Sequence, residues 1–219
     1  MFYSETMALG EATRSLVRRS RYLYDILEPI NARAVEARWQ RQGRPIPASS
    51  SVKRNILRRI GQEHHLRVLV ETGTFQGDTV MALRREFDRI VSVELSPELH
   101  AKAVRRARHE RNVELLLGDS ASVLPRILAT LHEPALFWLD AHYSGTGTAL
   151  GDLVSPISAE LSAVLGHPVR GHVVLIDDAR ECHDSARSGY PGPEVIVGAA
   201  RQYGYMMSEK YDIFFLMPE

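Results

Sequence analysis

Three aspartates and a histidine directly follow two apolar segments of the chain. Asp140 and His142 come after ALFWL, and Asp177 and Asp178 come after HVVLI. Carboxylate oxygens are the ligands that Mg²⁺ and similar hard cations prefer, and an imidazole can accept a proton near neutral pH. Acids in such places also cap helices and keep strand ends soluble, so the sequence leaves a chemical and a structural role open.

A segment with two glycines, ETGTFQG, follows an earlier apolar run. Gly73 and Gly77 permit a tight turn and a close approach of the backbone to a ligand. Their G-x-x-x-G spacing lacks the middle glycine that allows a dinucleotide pyrophosphate to sit on a helix N-terminus. The segment therefore favours a ligand without phosphate groups, although glycines also occur in ordinary strand-to-helix turns.

Two further acidic residues follow the next apolar runs. Glu94 comes 17 residues after Gly77, where a carboxylate can accept hydrogen bonds from both hydroxyls of a ribose. Asp119 and Ser120 follow the third run, and an acid beside a hydroxyl suits recognition of an adenine amino group. Each acid also fits a simpler role, because strand-end acids commonly cap the next helix.

Short apolar runs that alternate with helical segments predict the elements that position these residues. The alternation is typical of a doubly wound α/β fold with parallel strands, whose ligands bind at the carboxyl ends of the strands. The predicted strands are Arg67–Glu71, Arg89–Glu94, Val113–Leu117, Ala135–Leu139, His172–Ile176 and Ile213–Met217. The predicted helices are Val52–Glu63, Thr79–Glu86, Pro97–Arg108, Ala121–Leu131, Ser155–Leu165 and Glu194–Tyr203.

The N-terminal segment differs from the rest of the chain. Apolar residues recur there at helical spacing, and Pro29 predicts a break between two helices. Gly43–Ser51 reads as a linker rich in Pro and Ser, so we predict a helical arm over residues 1–50 and an α/β domain over 51–219. Residues 1–60 carry twelve basic and five acidic side chains, which suits a solvated helical face or contact with an anionic partner.

Three segments in order carry a family resemblance. ETGTFQG at 71–77, VELSPE at 93–98 and LLLGDS at 115–120 resemble the class I S-adenosylmethionine-dependent methyltransferases. The resemblance extends over residues 66–217. It implies a Rossmann-like, doubly wound, mostly parallel seven-stranded sheet with the N-terminal helices as an extension.

The same resemblance assigns roles at the ends of the first three strands. It implies that the loop from Gly73 to Gly77 holds the methionine part of S-adenosylmethionine, that Glu94 holds the ribose, and that Asp119 with Ser120 holds the adenine. The cofactor-binding residues that we expect are Glu71, Gly73, Thr74, Gly77, Thr79, Glu94, Leu95, Asp119, Ser120 and Asp140.

The later acids are similar in position to the metal-binding acids of catechol-type O-methyltransferases and the cephalosporin-hydroxylase-like group. The fourth and fifth strands are neighbours in that family, so the resemblance implies that Asp140, Asp177 and Asp178 converge on Mg²⁺ or another divalent cation. Tyr143 stands where the catechol-type enzymes usually carry a lysine base. We therefore expect His142 to be the base, with Tyr143 second and Asp140 as a further catalytic residue.

The resulting hypothesis is an S-adenosylmethionine-dependent O-methyltransferase that acts on a hydroxyl of a small molecule. A metabolite, a sugar or a natural-product intermediate would serve as the acceptor. The open alternatives are a metal-free enzyme or an N-methyltransferase of the same fold, a non-catalytic cofactor-binding protein, and, less favoured, a metal-dependent hydrolase.

Composition bounds the partners and the compartment. The 27 basic and 27 acidic residues give a formal net charge of zero, and no binding motif with interleaved aromatic residues favours nucleic acid. The single cysteine, Cys182, fits a reducing compartment. No secretory signal or membrane-spanning run is apparent, so we expect a cytoplasmic protein. The N-terminal helices are a candidate homodimer interface or a cover for the active site.

Overall fold

The computed structural model of the protein describes residues 21–140 and 156–219. In this part of the chain seven strands form one sheet with the order β3-β2-β1-β4-β5-β7-β6. The strands are β1 (Val68–Thr72), β2 (Arg89–Glu94), β3 (Val113–Leu117), β4 (Ala135–Leu139), β5 (Val173–Asp177), β6 (Tyr205–Lys210) and β7 (Ile213–Pro218).

The sheet is mostly parallel. Strands β1 to β5 pair in parallel, whereas β7 pairs antiparallel with both β5 and β6. Strand β1 lies between β2 and β4, so the strand order reverses its direction at β1. In open α/β sheets such a switch point is where ligands bind, beyond the carboxyl ends of the strands.

Helices connect the strands. The described helices are α1 (Arg21–Arg41), α2 (Ser50–Glu63), α3 (Asp78–Leu83), α4 (Pro97–Ala107), α5 (Ser120–Leu128), α6 (Ile157–Leu165), α7 (Ala179–His183), α8 (Ser185–Ser188) and α9 (Pro193–Gln202). Strands β1, β4 and β5 are buried along their whole length. Helices that cover both faces of a parallel sheet explain why these strands are continuous apolar runs.

The predicted Rossmann-like α/β fold is confirmed. Each of the six predicted strands is present, and the bounds of the predicted helices from α2 onward agree with the structure to within three residues where they are described. The sheet also contains the seventh strand, β6, for which the sequence analysis assigned no residues. Its exposed Ser208, Glu209 and Lys210 interrupt the apolar pattern, as is common in strands that form the edge of a sheet.

The predicted break at Pro29 is wrong. Helix α1 runs without interruption from Arg21 to Arg41 and contains Pro29. Proline removes one backbone hydrogen bond, here to the carbonyl of Asp25, but Pro29 is exposed, so its ring does not disturb packed side chains. More than two helical turns precede it and three follow, so the helix continues through the proline.

The chain divides into two compact units, Met1–Asn55 and Ile56–Glu219, and the division falls within α2. In the first unit the side-chain amide of Asn55 donates to Glu36 Oε2 at 2.8 Å and to the carbonyl of Ala32 at 3.3 Å. The second unit contains the whole described sheet. No helix in the described ranges is long and apolar enough to span a membrane.

Candidate cofactor and metal site

The loop between β1 and α3 folds back on the end of β2. The backbone N–H groups of Gly73 and Thr74 both donate to the carbonyl of Val93, at 2.9 and 3.1 Å. Gly77 has a φ of 73°, in the left-handed region that glycine adopts without strain. The N–H of Gly77 donates to the carbonyl of Thr74 at 2.8 Å and closes the turn. The loop is therefore a compact turn tied to its neighbouring strand.

A buried chain of hydroxyl groups supports this loop. Ser92 Oγ donates to Glu71 Oε2 at 2.5 Å, and Thr74 Oγ1 lies 2.6 Å from Ser92 Oγ. Because the single proton of Ser92 points to the carboxylate, Thr74 must be the donor in the second bond. All three side chains are buried. Glu71 and Thr74, both predicted site residues, thus form one network beneath the loop.

Glu94 joins the same loop from the end of β2. Its Oε2 atom accepts from the N–H of Phe75 at 2.7 Å, and its Oε1 atom accepts from the N–H of Ser96 at 2.9 Å. Each carboxylate oxygen has a second lone pair, so both can accept a further hydrogen bond. Glu94 is 7% exposed, and its orientation is set by two rigid backbone donors. This arrangement suits the predicted contact with two ribose hydroxyls.

The turn after β3 lies beside Glu94. The N–H of Gly118 donates to the carbonyl of Glu94 at 2.9 Å. Asp119 Oδ2 accepts from the N–H and the hydroxyl of Ser122, at 2.9 and 2.8 Å, so Asp119 caps α5. Ser120 is the buried first residue of that helix. Asp119 therefore has the structural role of a helix cap. Its side chain is also exposed, so a ligand can reach it.

Two other predicted cofactor residues lie at the margin of this region. Thr79 is half-buried in the first turn of α3, and Leu95 is 51% exposed after β2. Asp140 follows β4, and its N–H donates to the carbonyl of Thr72 at 3.2 Å, so it lies next to the end of β1. The remaining predicted catalytic residues, His142 and Tyr143, lie outside the described residues.

The three predicted metal ligands come together at the ends of β4 and β5. Among the described residues, Asp140, Asp177 and Asp178 each offer a carboxylate oxygen within 4.8 Å of the others. Carboxylate oxygens are the ligands that hard divalent cations prefer, so the chemistry of these donors fits such an ion. Asp177 and Asp178 are 4% and 2% exposed, which gives buried negative charge that a cation would compensate.

An arginine that the sequence analysis missed contacts this cluster. Arg180 Nη1 donates to Asp178 Oδ1 at 2.7 Å and also pairs with Asp212. The backbone N–H of Arg180 donates to Asp212 Oδ1 at 2.8 Å, so both the backbone and the guanidinium of Arg180 are held. The guanidinium already offsets part of the charge of Asp178. A metal ion would therefore share this carboxylate with Arg180.

Two side chains near the cluster have a raised pKa. Burial, and then the charges of Asp178 and Asp140, raise the pKa of the Tyr190 hydroxyl, which keeps that phenol protonated beside the acids. Burial raises the pKa of the Cys182 thiol to about 12. A thiol that stays protonated is a poor nucleophile, so this environment does not favour a catalytic role for Cys182.

A buried glutamate on α6 is a second residue that sequence reasoning missed. Glu160 is 0% exposed, and burial raises its pKa to about 7 against the lowering effect of the Ser120 and Thr72 hydroxyls. The charge of Asp119 raises this pKa further. Glu160 lies within the mostly apolar helix ISAELSAVL. The one signal in the sequence is that an acid occupies a position in an apolar segment.

Solved structures resemble the chain over most of its length. The O-methyltransferase TomG from Streptomyces achromogenes, in complex with S-adenosylmethionine, is 16% identical, covers 86% of this chain and 89% of its own, and gives a TM-score of 0.53. An O-methyltransferase from Bacillus cereus in complex with S-adenosylhomocysteine is 19% identical, covers 90% of this chain and 95% of its own, and gives a TM-score of 0.54.

A third match is CalS10, an amino pentose methyltransferase from Micromonospora echinaspora, bound to S-adenosylmethionine. It is 13% identical, covers 85% of this chain and 97% of its own, and gives a TM-score of 0.52. The chain has the methyltransferase fold. No model of a known protein family matches the sequence, and no curated protein matches it. The likeness to these methyltransferases is therefore one of structure, and function must be argued from the site.

Proposed function

We propose that the protein is an S-adenosylmethionine-dependent O-methyltransferase that acts on a small-molecule hydroxyl with the help of a divalent cation. The main support for this function is that hydrogen bonds join the segments at the carboxyl ends of the strands. Hydrogen bonds connect the loop after β1 to Glu94, Glu94 to Gly118, and Asp140 to Thr72. These groups lie at the switch point of a sheet whose structural relatives bind S-adenosylmethionine or S-adenosylhomocysteine.

The proposed cofactor contacts follow the strand ends in order. The loop from Gly73 to Gly77 would face the methionine part, Glu94 would accept from the ribose hydroxyls, and Asp119 with Ser120 would contact the adenine. S-adenosylmethionine supplies the sulfonium methyl group that is transferred. The chain itself contributes position, because a methyl transfer in line with the breaking bond depends mainly on how the acceptor is oriented.

The proposed metal ligands are Asp140, Asp177 and Asp178. A divalent cation held by these carboxylates would act as a Lewis acid towards the hydroxyl of the acceptor. Arg180 holds Asp178 in place through its guanidinium, so this one proposed ligand is oriented before an ion binds. His142, with Tyr143 as the second choice, is proposed to take the proton from the acceptor.

A turnover assay tests this function. The release of S-adenosylhomocysteine is measured with a panel of hydroxylated and aminated acceptors, with Mg²⁺ and with a chelator. Asp140→Asn and Asp177→Asn should abolish metal-dependent turnover. The control Asp184→Asn changes an exposed acid that directly precedes α8, and it should leave turnover intact. Turnover that survives chelation and both substitutions would support the metal-free alternative.

The N-terminal helical arm, residues 1–50, is proposed to support a homodimer. Ile26, Leu27 and Ile30 on α1 are 43%, 40% and 62% exposed. Their spacing of three and four residues puts Ile30 on the same side of the helix as the other two. Ile30→Glu should shift a dimer towards monomer in light scattering at equal protein concentration, with Glu63→Gln as the surface control. A monomeric wild-type protein would contradict this arrangement.

A further inference from the structure

Glu160 lies at an unusual place for an acid. It is on α6, is 0% exposed, and neither of its carboxylate oxygens has a hydrogen-bond partner in the described part of the chain. A buried carboxylate without hydrogen bonds is destabilised strongly as an anion and much less as a neutral acid. Such a group is retained in a core only if the fold holds it protonated or uses its charge.

The groups that face Glu160 belong to the proposed cofactor site. The Ser120 hydroxyl comes from the first turn of α5, and the Thr72 hydroxyl comes from the last residue of β1. Thr72 Oγ1 is itself buried and has no hydrogen-bond partner among the described residues. Both hydroxyls act on the pKa of Glu160, yet neither forms a hydrogen bond of normal geometry with it.

Thr72 and Ser120 connect directly to the ligand-facing segments. Thr72 precedes Gly73, and its carbonyl accepts from the N–H of Asp140 at 3.2 Å. Ser120 follows Asp119, the cap of α5. The Glu160 carboxyl therefore lies near the start of the loop from Gly73 to Gly77 and near the start of α5.

Few charged groups among the described residues affect the protonation of Glu160. Asp119, at the N-cap of α5, is the charged residue that acts on it among the described residues. The charged residues on the two helices packed against α6 are exposed, namely Arg126 on α5 and Glu194 and Arg201 on α9. Glu160 is the single charged residue of α6 itself. The protonation of Glu160 is thus governed by burial, by the two hydroxyls and by Asp119.

We propose that Glu160 is a positioning residue whose protonated carboxyl forms hydrogen bonds with Thr72 and Ser120 when the cofactor binds and so holds the cofactor-binding strand ends together, so that its ionisation weakens cofactor binding. The inference rests on the proposed function, because the cofactor is the ligand that would report it. A neutral carboxyl can donate to one hydroxyl and accept from the other. The anion cannot donate, and it must be solvated by a shift of the surrounding groups.

Burial raises the pKa of Glu160 to about 7, and this value sets the pH range in which cofactor affinity should change. Below pH 7 the protonated form of Glu160 predominates, so its titration does not change the affinity for the cofactor. Above pH 7, binding to the protonated form requires the uptake of one proton, and the affinity falls towards tenfold per pH unit. The effect should be equal for S-adenosylmethionine and for S-adenosylhomocysteine, because it acts through the protein and not through the sulfonium charge.

Calorimetric titration with S-adenosylhomocysteine from pH 6 to pH 9 tests the proposal. The wild-type affinity should fall above pH 7, and titration at pH 8 in buffers of different ionisation enthalpy should show the uptake of close to one proton. Glu160→Gln keeps the shape and both hydrogen-bonding functions, so its affinity should stay near the low-pH wild-type value at every pH. Glu133→Gln, an exposed glutamate before β4, should behave as wild type.

Urea unfolding supplies a readout that does not need the cofactor. The pKa of Glu160 is raised in the folded protein above its ordinary 4.5, so its contribution to stability is present below pH 4.5 and is lost as the pH rises to about 7. The unfolding midpoint of the wild type should therefore fall relative to that of Glu160→Gln across this range. Identical pH profiles of the two midpoints would overturn the assignment of a protonated buried carboxyl.

The two possible failures are distinct. If S-adenosylhomocysteine binds with the same pH dependence to the wild type and to Glu160→Gln, the coupling is overturned while the proposed function stands. If neither protein binds an adenosyl ligand at any pH, the proposed function is contradicted and the coupling falls with it. Affinity for S-adenosylmethionine alone that increases above pH 7 would also overturn the proposal, because it would indicate attraction of the sulfonium by an ionised Glu160.

Discussion

The carboxylate of Glu94 accepts a hydrogen bond of 2.7 Å from the backbone N–H of Phe75, across the gap between β2 and the loop after β1. Its other oxygen accepts from the N–H of Ser96 at 2.9 Å. The acid therefore fixes the loop and still has lone pairs for a ligand. One residue thereby sets the position of the loop and of the proposed ribose contact.

Glu94→Ala should weaken binding of S-adenosylhomocysteine by about 10- to 100-fold, because hydrogen bonds to a charged acceptor contribute about 1.5–3 kcal/mol. Calorimetric titration measures the change. Glu98→Ala removes an exposed acid that pairs with Lys102 at 2.7 Å one turn along α4, and it should leave the affinity unchanged. Equal effects of the two substitutions would contradict the role of Glu94.

Ser92→Ala should lower the free energy of unfolding by about 1–3 kcal/mol, because it removes a donor to the buried carboxylate of Glu71 and an acceptor for Thr74. Equilibrium unfolding in urea measures the loss. Ser162→Ala is the matched control, since Ser162 is exposed on α6 and its hydroxyl bonds only within the helix in the described contacts. A Ser92 variant as stable as the control would show that the hydroxyl chain contributes little.

A pair of histidines at the amino ends of β4 and β5 makes stability depend on pH. His172 Nδ1 accepts from the N–H of Ala135 at 3.0 Å, so its neutral ring must donate from Nε2 to His167 Nδ1, also at 3.0 Å. Burial, and then the nearby His167, lower the pKa of His172 to about 4. The neutral form of His172 is thus the form that the fold requires.

The sign of the effect follows from the lowered pKa. Unfolding lets His172 take up a proton between its ordinary pKa of 6.5 and about 4, so its stabilising contribution is present above pH 6.5 and is lost as the pH falls through this range. The difference in unfolding free energy between wild type and His172→Gln should narrow by about 3 kcal/mol from pH 7 to pH 4. A difference that stays constant would contradict a neutral buried His172. Comparison with a variant removes the opposite contribution of Glu160.

Mg²⁺ should raise the melting temperature of the wild type, because an ion that binds only the folded protein stabilises it by mass action. Asp177→Asn should remove most of this shift, since it takes one charge from the cluster of Asp140, Asp177 and Asp178. Asp184→Asn should retain the shift. Equal shifts in all three proteins would place the ion elsewhere and contradict the proposed ligands.

The sequence was most informative where burial is complete. The strands β1, β4 and β5 are buried on both faces, so they are unbroken apolar runs whose type and order can be predicted. The charged edge strand β6 has an alternating and mostly exposed pattern, which resembles a loop. The continuation of α1 through Pro29 was missed because a residue's exposure, which makes the proline tolerable, is not visible in local sequence.

The candidate site could be predicted only in part for a related reason. Glu94 and the acids after β4 and β5 directly follow apolar runs, so their position at the strand ends can be inferred from the pattern. Arg180 contacts Asp178 directly, but its second partner, Asp212, comes from the segment before β7. Glu160 approaches Thr72 and Ser120 from α6. Such contacts depend on how distant segments pack, and residue spacing does not contain that information.

Binding of the cofactor at the strand ends can be measured by calorimetric titration of the wild-type protein with S-adenosylhomocysteine, with NAD as the control ligand. We expect micromolar binding of the adenosyl ligand at pH 6.5, in the presence and in the absence of Mg²⁺, and no binding of NAD. Absence of binding of S-adenosylhomocysteine under both conditions, with a folded protein, would contradict the assignment of the strand ends as a cofactor site.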